Sequence, residues 1–431
     1  MDLSLFLIGL VIASLVLVLG GYALAFALGG LSILYLWWNG FPLSFAIVEL
    51  GGSLQNFTML AIPLFMLSGA LMNAGRITDR IFAFAKLLVG RIPGGLGHVN
   101  IFASLVFAGM SGSVLADVAG LGRMEYKAMR DENYKEDFAM GVTLSSAAIG
   151  PILPPSVPMV LFGLVAEVSI TGLFLGGIMP AFVITGCLMV YVYFVGRKYG
   201  YYSADGDFSL GRLGMAFLYA LPPLLTPVLI VGGMVMGIFS PTEAAVVAVL
   251  YALFLAVIVY RDLGLATFFD VSREVVIGTT RLLFVIAMSL LFGWVLSVGR
   301  MPQELAQWIG GTFDQQWAFL LLLMVVIIFL GAIVADAILL LILAPMIVPI
   351  AVANYGMDPL HLGVVMVFTI MIGQFTPPMG MSLFIMRDIT GLPFTRVCLA
   401  VTPFLLPLVA ALLVMAYVPQ VVLFIPRALG F

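Results

Sequence analysis

Residues 112–117 read Gly-Ser-Val-Leu-Ala-Asp, and residues 331–336 read Gly-Ala-Ile-Val-Ala-Asp. A second matched pair follows in the same order: Gly150-Pro151-Ile152-Leu153-Pro154-Pro155 and Gly373-Gln374-Phe375-Thr376-Pro377-Pro378. Two motifs repeated in one order at nearly one spacing mark an internal duplication. Both motifs are glycine- and proline-bearing interruptions between apolar arms. Any fold of this chain must therefore accommodate broken backbone, twice over, in apolar surroundings.

Those surroundings are a bilayer. Of 431 residues, 63% are hydrophobic and 9% charged, against about 25% charged in soluble domains. Apolar runs near the ~20 residues that cross a membrane recur along the whole length. No polar stretch is long enough for a soluble domain, and the net charge of −3 says little where the location of the charges decides; no nucleic-acid partner is expected. Cys187 and Cys398 lie in or beside apolar segments and read as structural. The first Lys or Arg is Arg76, so the N-terminal apolar stretch reads as a retained span and not a cleaved signal. His-Glu-x-x-His, a Walker lysine motif and Cys–His clustering are all missing, which argues against catalysis and ATP use.

Taken in order, residues 3–38 suit two short spans broken at Gly20-Gly21, 39–56 an interfacial segment, and 57–74 a third span. Residues 99–122 are flanked by Arg76, Arg80, Lys86 and Arg91 before and by Arg123, Lys127, Arg130 and Lys135 after. Basic loops stay cytoplasmic, so both ends of this segment belong on one side. At about 1.5 Å per residue it is too short for two spans. It is expected to be a re-entrant hairpin with Ser111-Gly112-Ser113 at the tip, tolerated at depth only where protein or water surrounds it. Residues 138–167 carry the first proline motif at their centre. Interior proline costs a helix about 3 kcal/mol, so one span broken near the midplane is expected.

After a span at 171–195 and a polar linker at 199–212, the plan repeats. Spans are expected at 213–239 and 241–260, an interfacial piece at 261–273, and a span at 281–298. A polar connector at 299–316 leads to a second hairpin at about 317–353, then a broken helix at about 362–386 and a last span at 397–418. The expected division is thus one repeat over 1–198 and a second over 213–431. Five crossings in the first half turn the second upside down. The charges agree: between Arg300 and Arg387 there is no Lys or Arg. Opposite charge bias in equivalent loops is what an inverted repeat predicts. The fold class read here is an all-α polytopic membrane protein with inverted-topology repeats, two re-entrant helical hairpins and two broken transmembrane helices.

Such a fold suits secondary transport. Unwound backbone offers carbonyl oxygens to a hard cation such as Na⁺, and half-helix N-termini suit an anionic group. Asp117 and Asp336, just past the tips, have two readings: groups that bind cation or substrate or take a proton, or caps of the second hairpin arms. Ser111, Ser113 and Thr376 likewise offer ligand oxygens or local caps. Glu167, Glu243, His98 and His361 read as interfacial, and Arg387 as a cytoplasmic anchor.

The chain resembles the large membrane subunit of TRAP (tripartite ATP-independent periplasmic) transporters. The resemblance rests on residues 94–100 (Gly-Gly-Leu-Gly-His-Val-Asn), Ser111-Gly112-Ser113 with Ala116-Asp117, residues 150–158, Ser240-Pro241-Thr242-Glu243-Ala244-Ala245, and residues 373–380. It implies a sodium-coupled elevator in a bacterial inner membrane, importing a small organic anion bearing a carboxylate. It implies two partners, a small four-helix membrane subunit and a periplasmic substrate-binding protein, and no cofactor besides Na⁺ as coupling ion. It implies one sodium site at Ser111, Gly150 and Pro155, a second at Leu330, Gly373 and Thr376, and substrate near Ser113, Ser156, Asp336 and Asp117. Ser382 stands where the family often has asparagine, and Met386-Arg387-Asp388 is more charged than the family pattern. The alternatives are a stand-alone sodium/dicarboxylate carrier of the divalent-anion type working as a homodimer, whose Ser-Asn-Thr signature is missing here, and a channel.

Overall fold

A computed structural model describes residues 9–14, 16, 17, 20, 22–75, 77–201, 210–312 and 315–431. Every regular element among them is helical. The part of the first expected span that falls on residues 3–8, and most of the linker at 199–212, lie outside the described residues. The first half runs α1 Leu24–Trp38, α2 Ser44–Leu54, α3 Ala61–Ala74, α4 Ile77–Val89, α5 Leu96–Ser111, α6 Val114–Ala119, α7 Leu121–Asp131, α8 Glu136–Ser146, α9 Val157–Val165 and α10 Ile170–Tyr199. The second half runs α11 Leu210–Val235, α12 Pro241–Leu253, α13 Leu265–Val298, α14 Met301–Thr312, α15 Gln316–Gly331, α16 Asp336–Tyr355, α17 Pro359–Gln374, α18 Met381–Thr390, α19 Phe394–Tyr417 and α20 Gln420–Ala428. Among the described residues, seven helical stretches are long and apolar enough to cross a membrane.

The two hairpins are α5 with α6–α7, and α15 with α16. The two broken helices are α8 with α9, and α17 with α18. The last long helix, α19, shows that they enter from opposite faces. At its start, Arg396 bonds Glu136 (2.9 Å) and Asp137 (3.0 Å), the first residues of α8. Just before α8, Tyr134 Oη accepts from the backbone N–H of Leu96, where hairpin 1 begins (3.1 Å). At the other end of α19, the Tyr417 hydroxyl donates to the carbonyl of Trp317, where hairpin 2 begins (3.1 Å). There too His361, at the start of α17, bonds the carbonyl of Met415 (2.9 Å). Hairpin 1 and α8 thus start on one face, hairpin 2 and α17 on the other. The first face also carries Arg80–Asp262 (2.8 Å), Lys86–Glu132 (3.0 Å) and Arg130–Glu136 (3.0 Å), matching its basic, cytoplasmic reading.

Several boundaries differ from expectation. The basic stretch after hairpin 1 is not a loop but α7, which extends the return arm to Asp131. It is amphipathic, burying Leu121, Gly122, Glu125 and Met129 and exposing Arg123 and Lys127. The expected interfacial piece and following span merge into one helix, α13. No proline interrupts it, so the helix runs unbroken through exposed Asp270, Arg273 and Glu274 into the apolar span, and Glu274 also lines a cavity. The connector before hairpin 2 holds a helix, α14, which stands before hairpin 2 as α4 stands before hairpin 1. The C-terminal α20 was not expected from the sequence; it packs on α10 and buries Val422 and Leu423. His98 and His361 are buried and not interfacial, because each ring finds a backbone carbonyl, of Pro93 and Met415 respectively (2.9 Å each).

Candidate functional site

Hairpin 1 ends α5 at Ser111. The chain then turns through Gly112, whose φ of 59° lies in the left-handed region that only glycine adopts freely. That turn is seated on the first broken helix. A Cβ placed on Gly112 would stand 2.2 Å from the carbonyl oxygen of Pro155, and one on Gly150 would lie 3.7 Å from the backbone of Ser113. The prolines between α8 and α9 stop the helix there, and Ser156 restarts it by accepting from the backbone N–H of Met159 (3.2 Å). The Ser156 hydroxyl itself donates to the carbonyl of Pro151.

Hairpin 2 repeats the arrangement. A Cβ on Gly373 would lie 2.8 Å from the Cα of Gly331, next to Leu330, and one on Gly331 would lie 3.3 Å from the Cα of Gly373. The backbone N–H of Gly380 donates to Ala332 of the tip (2.9 Å), binding tip and turn together. Thr376 donates its backbone N–H to Gly373 (2.9 Å) and its hydroxyl to Ile372 (2.8 Å). Both Pro154-Pro155 and Pro377-Pro378 are cis.

The structure therefore brings Ser111, Gly150 and Pro155 to one tip–turn contact, and Leu330, Gly373 and Thr376 to the other. The first contact holds an orphan: the Ser111 Oγ is buried and has no hydrogen-bond partner. A buried hydroxyl with no protein partner, beside unwound carbonyls, is a donor set that suits a hard cation.

A cavity of about 670 Å³ opens beside hairpin 1. Ser111, Ser113 and Ala116 line it from the hairpin, Val157 and Pro158 from the start of α9, and Asp336 from the start of α16. The opposite wall is Asn73 of α3 and Glu274 of α13. Ser113 and Asp336, on different repeats, thus face one space. Ser156 and Asp117 do not: Ser156 is buried as the α9 cap, and Asp117 is buried behind the hairpin.

The two aspartates of the sequence echo are not equivalent in space. Hairpin 1 has only Gly112 and Ser113 between its helices, and hairpin 2 has residues 332–335. Asp117 therefore falls a turn into α6, while Asp336 is the first residue of α16. Asp336 also stands beside Gln374, whose buried Nε2 lacks a hydrogen-bond partner. Both carboxyl oxygens of Asp117 lack a hydrogen-bond partner, so it does not cap its helix, whereas the Asp336 carboxylate lies against the backbone N–H of Ala337 at the start of α16. Gln374, Asn73 and Glu274 did not stand out in the sequence. Gln374 sits within the duplicated motif and could have been singled out; Asn73 is an isolated polar residue on an ordinary span, and Glu274 directly follows the piece expected at the interface.

The family model of the tripartite ATP-independent periplasmic transporter, DctM component, matches residues 11–421. The sialic acid TRAP transporter large permease protein SiaM of Vibrio cholerae is 45% identical over 393 residues, covering 90% of this chain and 91% of that protein. The C4-dicarboxylate TRAP transporter large permease protein DctM of Pseudomonas aeruginosa is 37% identical over 383 residues, covering 89% of each chain. The crystal structure of the Alcanivorax borkumensis YdaH transporter, noted for an unusual topology, superposes with a TM-score of 0.65 at 14% identity. It covers 87% of this chain and 88% of that one, a likeness of fold alone. On the span of the family match and these identities, with the apolar helices above, the chain belongs to the DctM family of TRAP transporter large permeases, multi-pass proteins of the bacterial inner membrane.

Proposed function

We propose that this chain is the membrane-translocating subunit of a sodium-coupled importer of a small organic anion. The observation that carries the reading is the paired seating of each hairpin tip on the broken helix of its own half, at Gly112–Pro155 and Gly331–Gly373. Sodium is cargo here. One ion is assigned to Ser111, Gly150 and Pro155 and a second to Leu330, Gly373 and Thr376. Binding would tie tip to turn, so that hairpin and broken helix move as one body against α3 and α13. That is an elevator in outline.

The solute is assigned to the cavity. The starts of α9 and α16 face it, and helix N-termini favour a carboxylate. Asp336 would repel a carboxylate but accepts hydrogen bonds well, so it fits hydroxyl or amide groups elsewhere on the solute. An acid that also carries hydroxyl groups suits this pairing better than a plain dicarboxylate; the Vibrio cholerae relative is named for sialic acid. We assign the partners as a small four-helix membrane subunit and a periplasmic binding protein that delivers the solute. Co-reconstitution of the three proteins in liposomes tests the reading. Uptake that needs the binding protein and an inward sodium gradient is expected, and uptake by this chain alone would favour the stand-alone carrier.

A further inference from the structure

Behind hairpin 1 lies a polar column separate from the cavity. Asn100 Nδ2 donates to Thr143 Oγ1 (2.8 Å), the Ser146 hydroxyl donates to Asn100 Oδ1 (2.7 Å), and the Ser104 hydroxyl donates to Ser146 Oγ (3.1 Å). These buried groups join α5 to α8. Beside the column stand two carboxyls, Asp117 on α6 next to Ser104, and Glu125 on α7. Gly120 is the only residue between α6 and α7 and turns the chain there. Gly122 packs on Thr143 and near the Asp117 carbonyl, and Glu125 thereby comes within the field of the Asp117 side chain.

Asp117 is 2% exposed and Glu125 1%. Both carboxyl oxygens of Asp117, and Oε1 of Glu125, are buried without a hydrogen-bond partner. The column group beside Asp117 is the Ser104 hydroxyl, which donates to Ser146 Oγ (3.1 Å). The charged groups on the packed elements are engaged or outside. On α7, Arg130 holds Glu136 and the Tyr134 carbonyl, while Arg123 and Lys127 are exposed. On α8, Glu136 and Asp137 face Arg396. On α18, Arg387 is exposed and paired with Asp388. On α5, His98 turns its Nε2 to Pro93. Burial pushes the Glu125 carboxyl well above the usual carboxylate range, and the Asp117 carboxylate adds to it.

Two carboxylates buried within each other's field, three of their four oxygens without a hydrogen-bond partner, cannot both be ionised; one proton relieves both the desolvation and the repulsion. We infer that Asp117 and Glu125 form a proton-binding site at the root of hairpin 1, one proton being held between the two carboxyls. The proton comes from water at the basic face and returns to it, and no other bond changes. Its loss sets like charges against each other where α6 meets α7, so the seating of the hairpin responds to pH. The site shares no residue with the two assigned sodium sites and stands whether or not sodium drives transport.

The test is thermal unfolding of the full-length purified chain, in sodium-free buffer, from about pH 5 to about pH 9, for the native protein and Glu125→Gln. A carboxyl whose folded affinity for protons is raised contributes stability below the unfolded value and loses it as pH rises through the folded value. The native midpoint should therefore fall with pH relative to Glu125→Gln, and the gap should close at low pH. Parallel curves would overturn the inference. So would stabilisation of the native protein at high pH by added sodium that is lost in Glu125→Gln, since the site would then hold a metal cation. If Glu125→Gln does not fold, infrared difference spectra of the native protein and Asp117→Asn replace it. A protonated-carboxyl band that vanishes at high pH and is altered in Asp117→Asn is expected, and no such band in the native protein would overturn the inference.

Discussion

Gly112 and Pro155 meet so closely that a Cβ on the glycine would lie 2.2 Å from the proline carbonyl oxygen. The same glycine holds a φ of 59°. Gly112→Ala therefore meets two obstacles, a left-handed backbone costing about 1–2 kcal/mol for other residues and a carbonyl that cannot withdraw without opening the turn. Uptake in reconstituted vesicles should fall at least about tenfold, the equivalent of 1.4 kcal/mol, with the protein still inserted. Native uptake would show that the seating is incidental.

Gly373→Ala should mirror that loss in the second half, since its Cβ would meet Gly331 at 2.8 Å. Gly186→Ala is the control. Nothing lies within 4 Å of its added carbon, and in a helix alanine is favoured over glycine by about 1 kcal/mol. Sodium-dependent uptake should be lost in the first variant and kept in the second.

Asp336→Asn keeps the shape of a residue lining the cavity and removes its charge. Uptake should drop at least about tenfold while stability falls by no more than about 1 kcal/mol, the most a carboxylate ordinarily contributes at a helix N-terminus. A parallel loss of stability and uptake would assign Asp336 to structure instead of solute binding.

Ser146→Ala removes the donor to Asn100 Oδ1 and the acceptor of Ser104. Leaving such buried groups unpaired costs about 1–3 kcal/mol, read as a lowered unfolding midpoint. An unchanged midpoint would mean that the column contributes nothing to holding α5 on α8.

Ser240 and Glu243 cap α12 reciprocally, each side chain bonding the other's backbone N–H (3.3 and 2.8 Å). Ser240→Ala should cost about 1 kcal/mol of stability without changing the solute concentration for half-maximal uptake.

The sequence carried the large features because they leave local marks. Basic residues on both sides of residues 99–122 revealed a hairpin, and Pro151, Pro154 and Pro155 revealed a broken helix. What stayed hidden depends on contacts between segments. Glu274 falls between the expected interfacial piece and the span after it and drew no reading, yet it lines a cavity with Asp336. Asp117 and Asp336 align in the echo, but tips of different length put one inside its helix and the other at the start. The Asn100–Ser146 bond joins residues far apart along the chain and has no local signature. His98 and His361 resemble interfacial residues until the carbonyls of Pro93 and Met415 meet them.

The central claim is that sodium closes each hairpin tip onto its own broken helix. Its most direct test is uptake of labelled solute into liposomes holding this chain, the small subunit and the binding protein, with sodium imposed outside, inside, or equally on both sides. The account predicts accumulation only with the inward gradient, and loss of that response in Gly112→Ala and Gly373→Ala. Accumulation independent of the imposed sodium gradient would contradict it.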